Sequence, residues 1–145
     1  MIKTFRGILE DGGQNKIRLS TKKGKIGYRI AKFEAMSNDP GIADREHILK
    51  IFKVVQSTVD GLVDFADGNL LGTVFVTNRS DTLLTGMNII FDNEVFNQDI
   101  YITHFEARSS GSCNYYIELE TMPLTDNAAA VSTLRDIRLN PQVGA

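Results

Sequence analysis

The sequence has no tryptophan, one cysteine and three prolines among 145 residues. A single thiol excludes an intramolecular disulfide, and the sequence offers Cys113 no companion ligands at zinc-site spacing. One cysteine also fits a protein made in a reducing cytosol. No apolar run approaches the roughly 20 residues of a membrane helix. The opening MIKTFRGILEDGG lacks the apolar stretch of a signal peptide. A soluble product without an export signal is therefore expected. Also missing are G-x-G-x-x-G, Walker A, H-E-x-x-H and G-x-S-x-G. No enzyme class is marked, and no cofactor or metal is expected.

What the chain does have is ordinary globular material. Eight Phe and four Tyr supply the aromatic volume, and 42% hydrophobic with 23% charged residues suits a packed core. A single domain over 1–145 should bury roughly two-thirds of its unfolded surface, enough to fold without staples.

Period-2 patterns dominate. Ile2–Leu9 reads as a strand stopped by Asp11-Gly12-Gly13. Lys16–Leu19 alternates charged and apolar, and Lys22-Lys23-Gly24-Lys25 is a turn. Together they predict a basic hairpin leading into a long strand. That strand sets Tyr28, Ile30, Lys32, Glu34 and Met36 on one face, and Arg29, Ala31, Phe33 and Ala35 on the other. Asn38-Asp39-Pro40-Gly41 ends it. Glu46–Thr58 is apolar on both parities and β-branched, as a central strand would be. Further strands are predicted at Leu70–Thr77, Asn88–Phe91, Asp99–Glu106 and Asn114–Met122.

After Pro123 the period changes. Thr125-Asp126-Asn127 is an N-cap signature, and a helix is predicted over about 126–138. Ala130, Val131, Leu134 and Ile137 form its apolar stripe, with a tail at 139–145. The fold class expected is mainly β: an antiparallel sandwich or jelly-roll-like domain with one C-terminal helix.

Chemistry-bearing groups are sparse. Asp99, His104 and Ser110 lie near one another in sequence, but Asp99 and His104 have opposite strand parity, so a surface histidine beside a polar loop is the preferred reading. The run Asp92–Asp99 is rich in oxygen ligands yet lacks EF-hand spacing; a solvated loop is preferred over calcium binding. His47 reads as structural or surface, and Met36, Met87 and Met122 as packing. One of Tyr115 and Tyr116 should be core and the other an interface anchor, here taken as Tyr116.

Charge is split along the chain. Residues 1–60 carry 12 basic and 7 acidic side chains, and residues 61–145 carry 4 and 11. Such asymmetry points to partners rather than to catalysis. Lys16, Arg18, Lys22, Lys23, Lys25 and Tyr116 are the candidate partner-binding residues. A pI near 5.7 and few stacking aromatics favour a protein partner over nucleic acid.

Three blocks carry a resemblance: Met1–Gly7, Asn97–His104, and Asn114–Glu120 with Thr125–Val131. They resemble small virion-associated structural proteins of marine tailed bacteriophages. The resemblance implies a non-enzymatic virion component made in the host cytoplasm, foremost a capsid decoration or cement subunit present in repeated copies. Its partners would be the major capsid protein or tail proteins, with no membrane. The residues themselves leave open a tail or connector component, and a ligand-binding sandwich, calcium-dependent and carbohydrate-directed.

Overall fold

The computed structural model describes residues 1–78 and 85–139. Its elements are β1 (Ile2–Leu9), β2 (Gln14–Ile17), β3 (Ile26–Ser37), β4 (Arg45–Phe52), β5 (Leu70–Asn78), β6 (Thr85–Ile90), β7 (Ile100–Glu106), β8 (Cys113–Pro123) and α1 (Asp126–Leu139). The tail 140–145, and the side chains of Arg135, Ile137 and Arg138, lie outside what is described.

Two antiparallel sheets face each other, with orders β1-β8-β3 and β2-β7-β4-β5-β6. The pairs β1·β8, β2·β7 and β4·β5 are those of a jelly-roll wrap, in which a long ribbon folds back on itself. β6 departs from that scheme. It pairs with β5 instead of completing the first sheet, and touches β3 where the Asn88 amide donates to the Phe33 carbonyl at 2.9 Å. The expected fold class is the observed one.

The core lies between the sheets. Phe33, Ile117 and Leu119 from the first sheet meet Leu49, Ile51, Ile100 and Ile102 from the second, all at 0% exposure. A β-bulge sets this packing. The β3·β8 register shifts between Ile30 and Lys32, so Ala31 is the extra residue. Tyr28, Ile30 and Phe33 are therefore all buried, while Lys32, Glu34 and Met36 are exposed. Strict alternation had placed Lys32 and Glu34 with Tyr28; the bulge removes that conflict.

Three other expectations need correction. Lys16–Lys25 is not a hairpin, because β2 and β3 belong to different sheets and the basic turn carries the chain across. The strand expected to run to Thr58 stops at Phe52. Beyond it the chain folds back over the outer face, where Lys50 Nζ donates to Asp60 Oδ1 at 3.0 Å and to the Leu62 carbonyl. The Gln14 side-chain amide fixes the same segment, its Nε2 donating to the Gln56 carbonyl at 3.0 Å and its Oε1 accepting from the Gln56 N–H at 2.9 Å. Finally, Met36 and Met87 are not packing residues; they are 61% and 67% exposed.

α1 begins as expected, with Thr125 Oγ1 accepting from the Ala128 N–H at 3.1 Å. Its orientation is the reverse of the apolar stripe. Ala129 and Ser132 are buried, whereas Val131 and Leu134 are 67% and 56% exposed. The helix docks through small residues because it approaches backbone closely. A Cβ on Gly24 would sit 2.8 Å from Thr133 Oγ1 and 2.9 Å from Asn97 Nδ2, and Gly24 has φ +63°. Gly24→Ala is thus expected to cost about 1–3 kcal/mol. Amide hydrogen exchange should show the loss of protection concentrated in α1.

Candidate functional site

The residues singled out from the sequence fall into separate places. Lys16, Arg18, Lys22, Lys23 and Lys25 are all exposed, along β2 and the turn into β3. Two of them are engaged within the molecule: Lys16 pairs with Asp99 at 3.4 Å and Lys25 with Asp126 at 2.9 Å. Arg18, Lys22 and Lys23 have no ion-pair partner among the described residues. Tyr115 is core and Tyr116 faces outward, as the alternation required. Tyr116 does not join the basic patch. It sits on the outer face of the first sheet between Arg6 and Glu34, and its hydroxyl donates to Glu118 at 2.8 Å. That bond holds its phenol above the ordinary pKa.

The sequence-level charge split is largely resolved inside one molecule. Lys16–Asp99, Lys25–Asp126, Arg29–Glu120 and Lys53–Glu94 each join a base from the first 60 residues to an acid from the remainder. Of these, Lys25–Asp126 is the exposed pair, and such a pair contributes about 0–1 kcal/mol. What remains for a partner is local. Lys23, Lys25, Ala129, Ala130, Thr133 and Leu134, with Asp126, line an open groove of about 400 Å³ between the basic turn and α1.

The triad is not assembled. Asp99 Oδ1 accepts from the Leu19 and Ser20 N–H groups at 2.7 and 2.9 Å, anchoring the crossing segment. Ser110 is exposed, and His104 is fully buried rather than on the surface. Burial alone would raise the Asp99 pKa, but the two backbone N–H groups and Lys16 outweigh it and the net shift is downward. With the folded value below the unfolded one, Asp99 stabilises the fold above about pH 3.9 and loses that contribution as pH falls through its folded value. Asp99→Asn is expected to cost about 1.5–3 kcal/mol near neutral pH. Its stability curve should be flatter than wild type in acid, as read by denaturant titration across pH.

The loop Asp92–Asp99 does not converge on a cation. Glu94 pairs with the buried Lys53 at 2.9 Å, and Asp99 holds backbone. Asn97 points inward, its amide donating to the Gly24 carbonyl at 3.0 Å and to Thr133 Oγ1 at 2.7 Å.

A polar cluster that sequence reasoning missed lies at one end of the sandwich. His47 from β4 and His104 from β7 are both 0% exposed, with Nδ1 of the first 2.9 Å from Nε2 of the second. His104 Nδ1 donates to the Glu10 carbonyl at 3.0 Å. A carbonyl can only accept, so His104 Nε2 bears the lone pair and His47 Nδ1 the proton. His47 Nε2 is then left without a partner in the interior. Burial, reinforced by His104, pushes the His47 pKa down to about 4, and burial also lowers that of His104. Cys113 opens β8 directly across from them, and burial pushes its thiol up to about 12. The three sit on separate strands, with His47 lying 57 residues before His104, and no local spacing signals their meeting.

No protein-family model matches the chain, and no curated protein does. Among solved structures, one similar chain comes from work described as "Bacillus endospore appendages form a novel family of disulfide-linked pili". The identity is 7% and the TM-score 0.36, over 86% of this chain and 89% of that one. Another is a putative glycoside hydrolase from Bacteroides thetaiotaomicron, at 11% identity and TM-score 0.32, over 79% of this chain and 41% of that one. Similarity at this level bears on no functional conclusion.

Proposed function

We propose that this protein is a non-enzymatic structural subunit of a virion, foremost a capsid decoration or cement protein that acts by surface contact. One observation carries the reading. α1 turns Val131 and Leu134 outward, and Leu134 shares an open groove with Lys23 of the basic turn. Apolar side chains beside the uncompensated Lys23 suit an acidic, apolar-edged surface on a neighbouring capsid protein. The unassembled Asp99, His104 and Ser110 fit a non-catalytic role. The resemblance of Met1–Gly7, Asn97–His104 and Asn114–Glu120 to phage virion proteins supplies the setting. Jelly-roll domains recur in capsids and in lectins, which is compatible with this reading but does not select it.

The test is charge reversal. Lys22→Glu with Lys23→Glu should lower occupancy on purified particles by about tenfold at low salt, with a smaller difference at high salt. Leu134→Asp should reduce occupancy at every salt concentration while leaving the fold intact by circular dichroism. Unchanged occupancy in both variants would remove this surface from the assembly. Copy number against the major capsid protein separates the two virion positions: hundreds per particle place the protein on the head, and a small ring number places it in the tail.

A further inference from the structure

We propose that His47, His104 and Cys113 form a buried site for one thiophilic d10 cation, Zn2+ or Cu+, that clamps the two sheets together at one end of the sandwich. This goes beyond the assembly reading and does not depend on it. A ring nitrogen of each histidine and the Cys113 sulfur lie within 4.8 Å of one another, and all three residues are 0% exposed. The histidines come from the second sheet and the cysteine from the first, so an ion there joins the two sheets directly.

The donor set decides the metal class. Two imidazoles and a thiolate with no carboxylate suit borderline and soft ions and reject calcium and magnesium. Both imidazoles are already neutral, the form that coordinates. The His104 ring also carries the support found behind metal-bound histidines: its other nitrogen donates to a backbone carbonyl, Glu10, at 3.0 Å. The ion takes the place of the proton between the two rings. That proton moves to His47 Nε2, the nitrogen without a partner in the metal-free fold. At Cys113 the S–H bond breaks, a metal–sulfur bond forms, and the proton leaves to solvent. A three-coordinate ion with bonds of about 2.0–2.1 Å to nitrogen and ligand angles of about 110–120° sets two ligand nitrogens about 3.3–3.6 Å apart. The 2.9 Å ring contact therefore opens by well under an ångström. Cu+ with the thiolate leaves no net charge. Zn2+ leaves one positive charge, which Glu106 and Asp11 face with negative charge and Arg45 opposes.

Because the site is closed, metal should enter during folding. The full-length chain, stripped with chelator and kept reduced, is refolded with Co2+, Zn2+ or Cu+ alone as the probe. One equivalent should be retained in native mass spectrometry, and the Co2+ form should show a thiolate-to-metal charge-transfer band. Cys113→Ser should abolish that band, and His47→Gln should weaken retention by about tenfold or more. Zn2+ or Cu+ should raise the melting temperature of wild type and not of Cys113→Ser. Direct competition between the two ions assigns the native one. Wild-type protein that retains none of the three ions overturns the proposal without reference to any variant. So does retention without the charge-transfer band, or equal retention by wild type and a folded Cys113→Ser, since either places the ion on surface groups.

Discussion

Replacing Glu106 by Gln should destabilise the fold by about 2–4 kcal/mol, close to the cost of losing a paired buried charge. Glu106 ends β7 at 4% exposure and is surrounded by donors. Its Oε1 accepts from the Glu46 N–H at 2.6 Å; its Oε2 accepts from Arg108 at 3.2 Å and from the Ser109 N–H. An ionised carboxylate is acceptor-only and matches this set. A glutamine amide, in either orientation, turns an NH2 group toward at least one backbone N–H. The near-isosteric change should therefore cost as much as a truncation, which is unusual for a Glu-to-Gln substitution. Guanidinium unfolding of wild type and Glu106→Gln gives the comparison. A shift below about 0.5 kcal/mol, the range of an ordinary surface change, would contradict the role assigned to this carboxylate.

Phe33→Ala should cost about 3–5 kcal/mol. Phe33 is 0% exposed and lies where β3 faces β5, with its ring near Gly72. Removing it opens a cavity between the sheets that neither rigid sheet can close. Phe33→Leu refills much of the space and should recover most of the loss. Equal unfolding midpoints for the Ala and Leu variants would mean that the β3 bulge does not hold this side chain in the core.

The limits of sequence reading can be located residue by residue. β1 was legible because Ile2–Leu9 ends in a plain Gly turn, and the start of α1 because Thr125 is a cap with a local mechanism. The reach of β3 was legible too, but its inner face was not: the bulge at Ala31 is set by pairing to β8, which no window around β3 contains. The helix face failed for a related reason. Periodicity favoured Val131 and Leu134, but docking against Gly24 and Asn97 leaves room only for Ala129, Ser132 and Thr133. Lys16, Lys22 and Lys23 were found as exposed bases, yet the partners of Lys16 and Lys25 come from the far half of the chain. The His47–His104 contact spans 57 residues and follows from register alone.

The placement of β8 has a consequence for how the chain is made. It is the middle strand of its sheet, with β1 on one side and β3 on the other. Met1 and Thr121, 120 residues apart, are hydrogen-bonded to each other. During synthesis β1 and β3 leave the ribosome long before the strand that joins them, while the β4-β5-β6 meander can pair as it emerges. Half of the molecule must wait for the last quarter of its message. A chain terminated before Cys113 would carry two strands without the partner they both pair with, and its fate should be proteolysis.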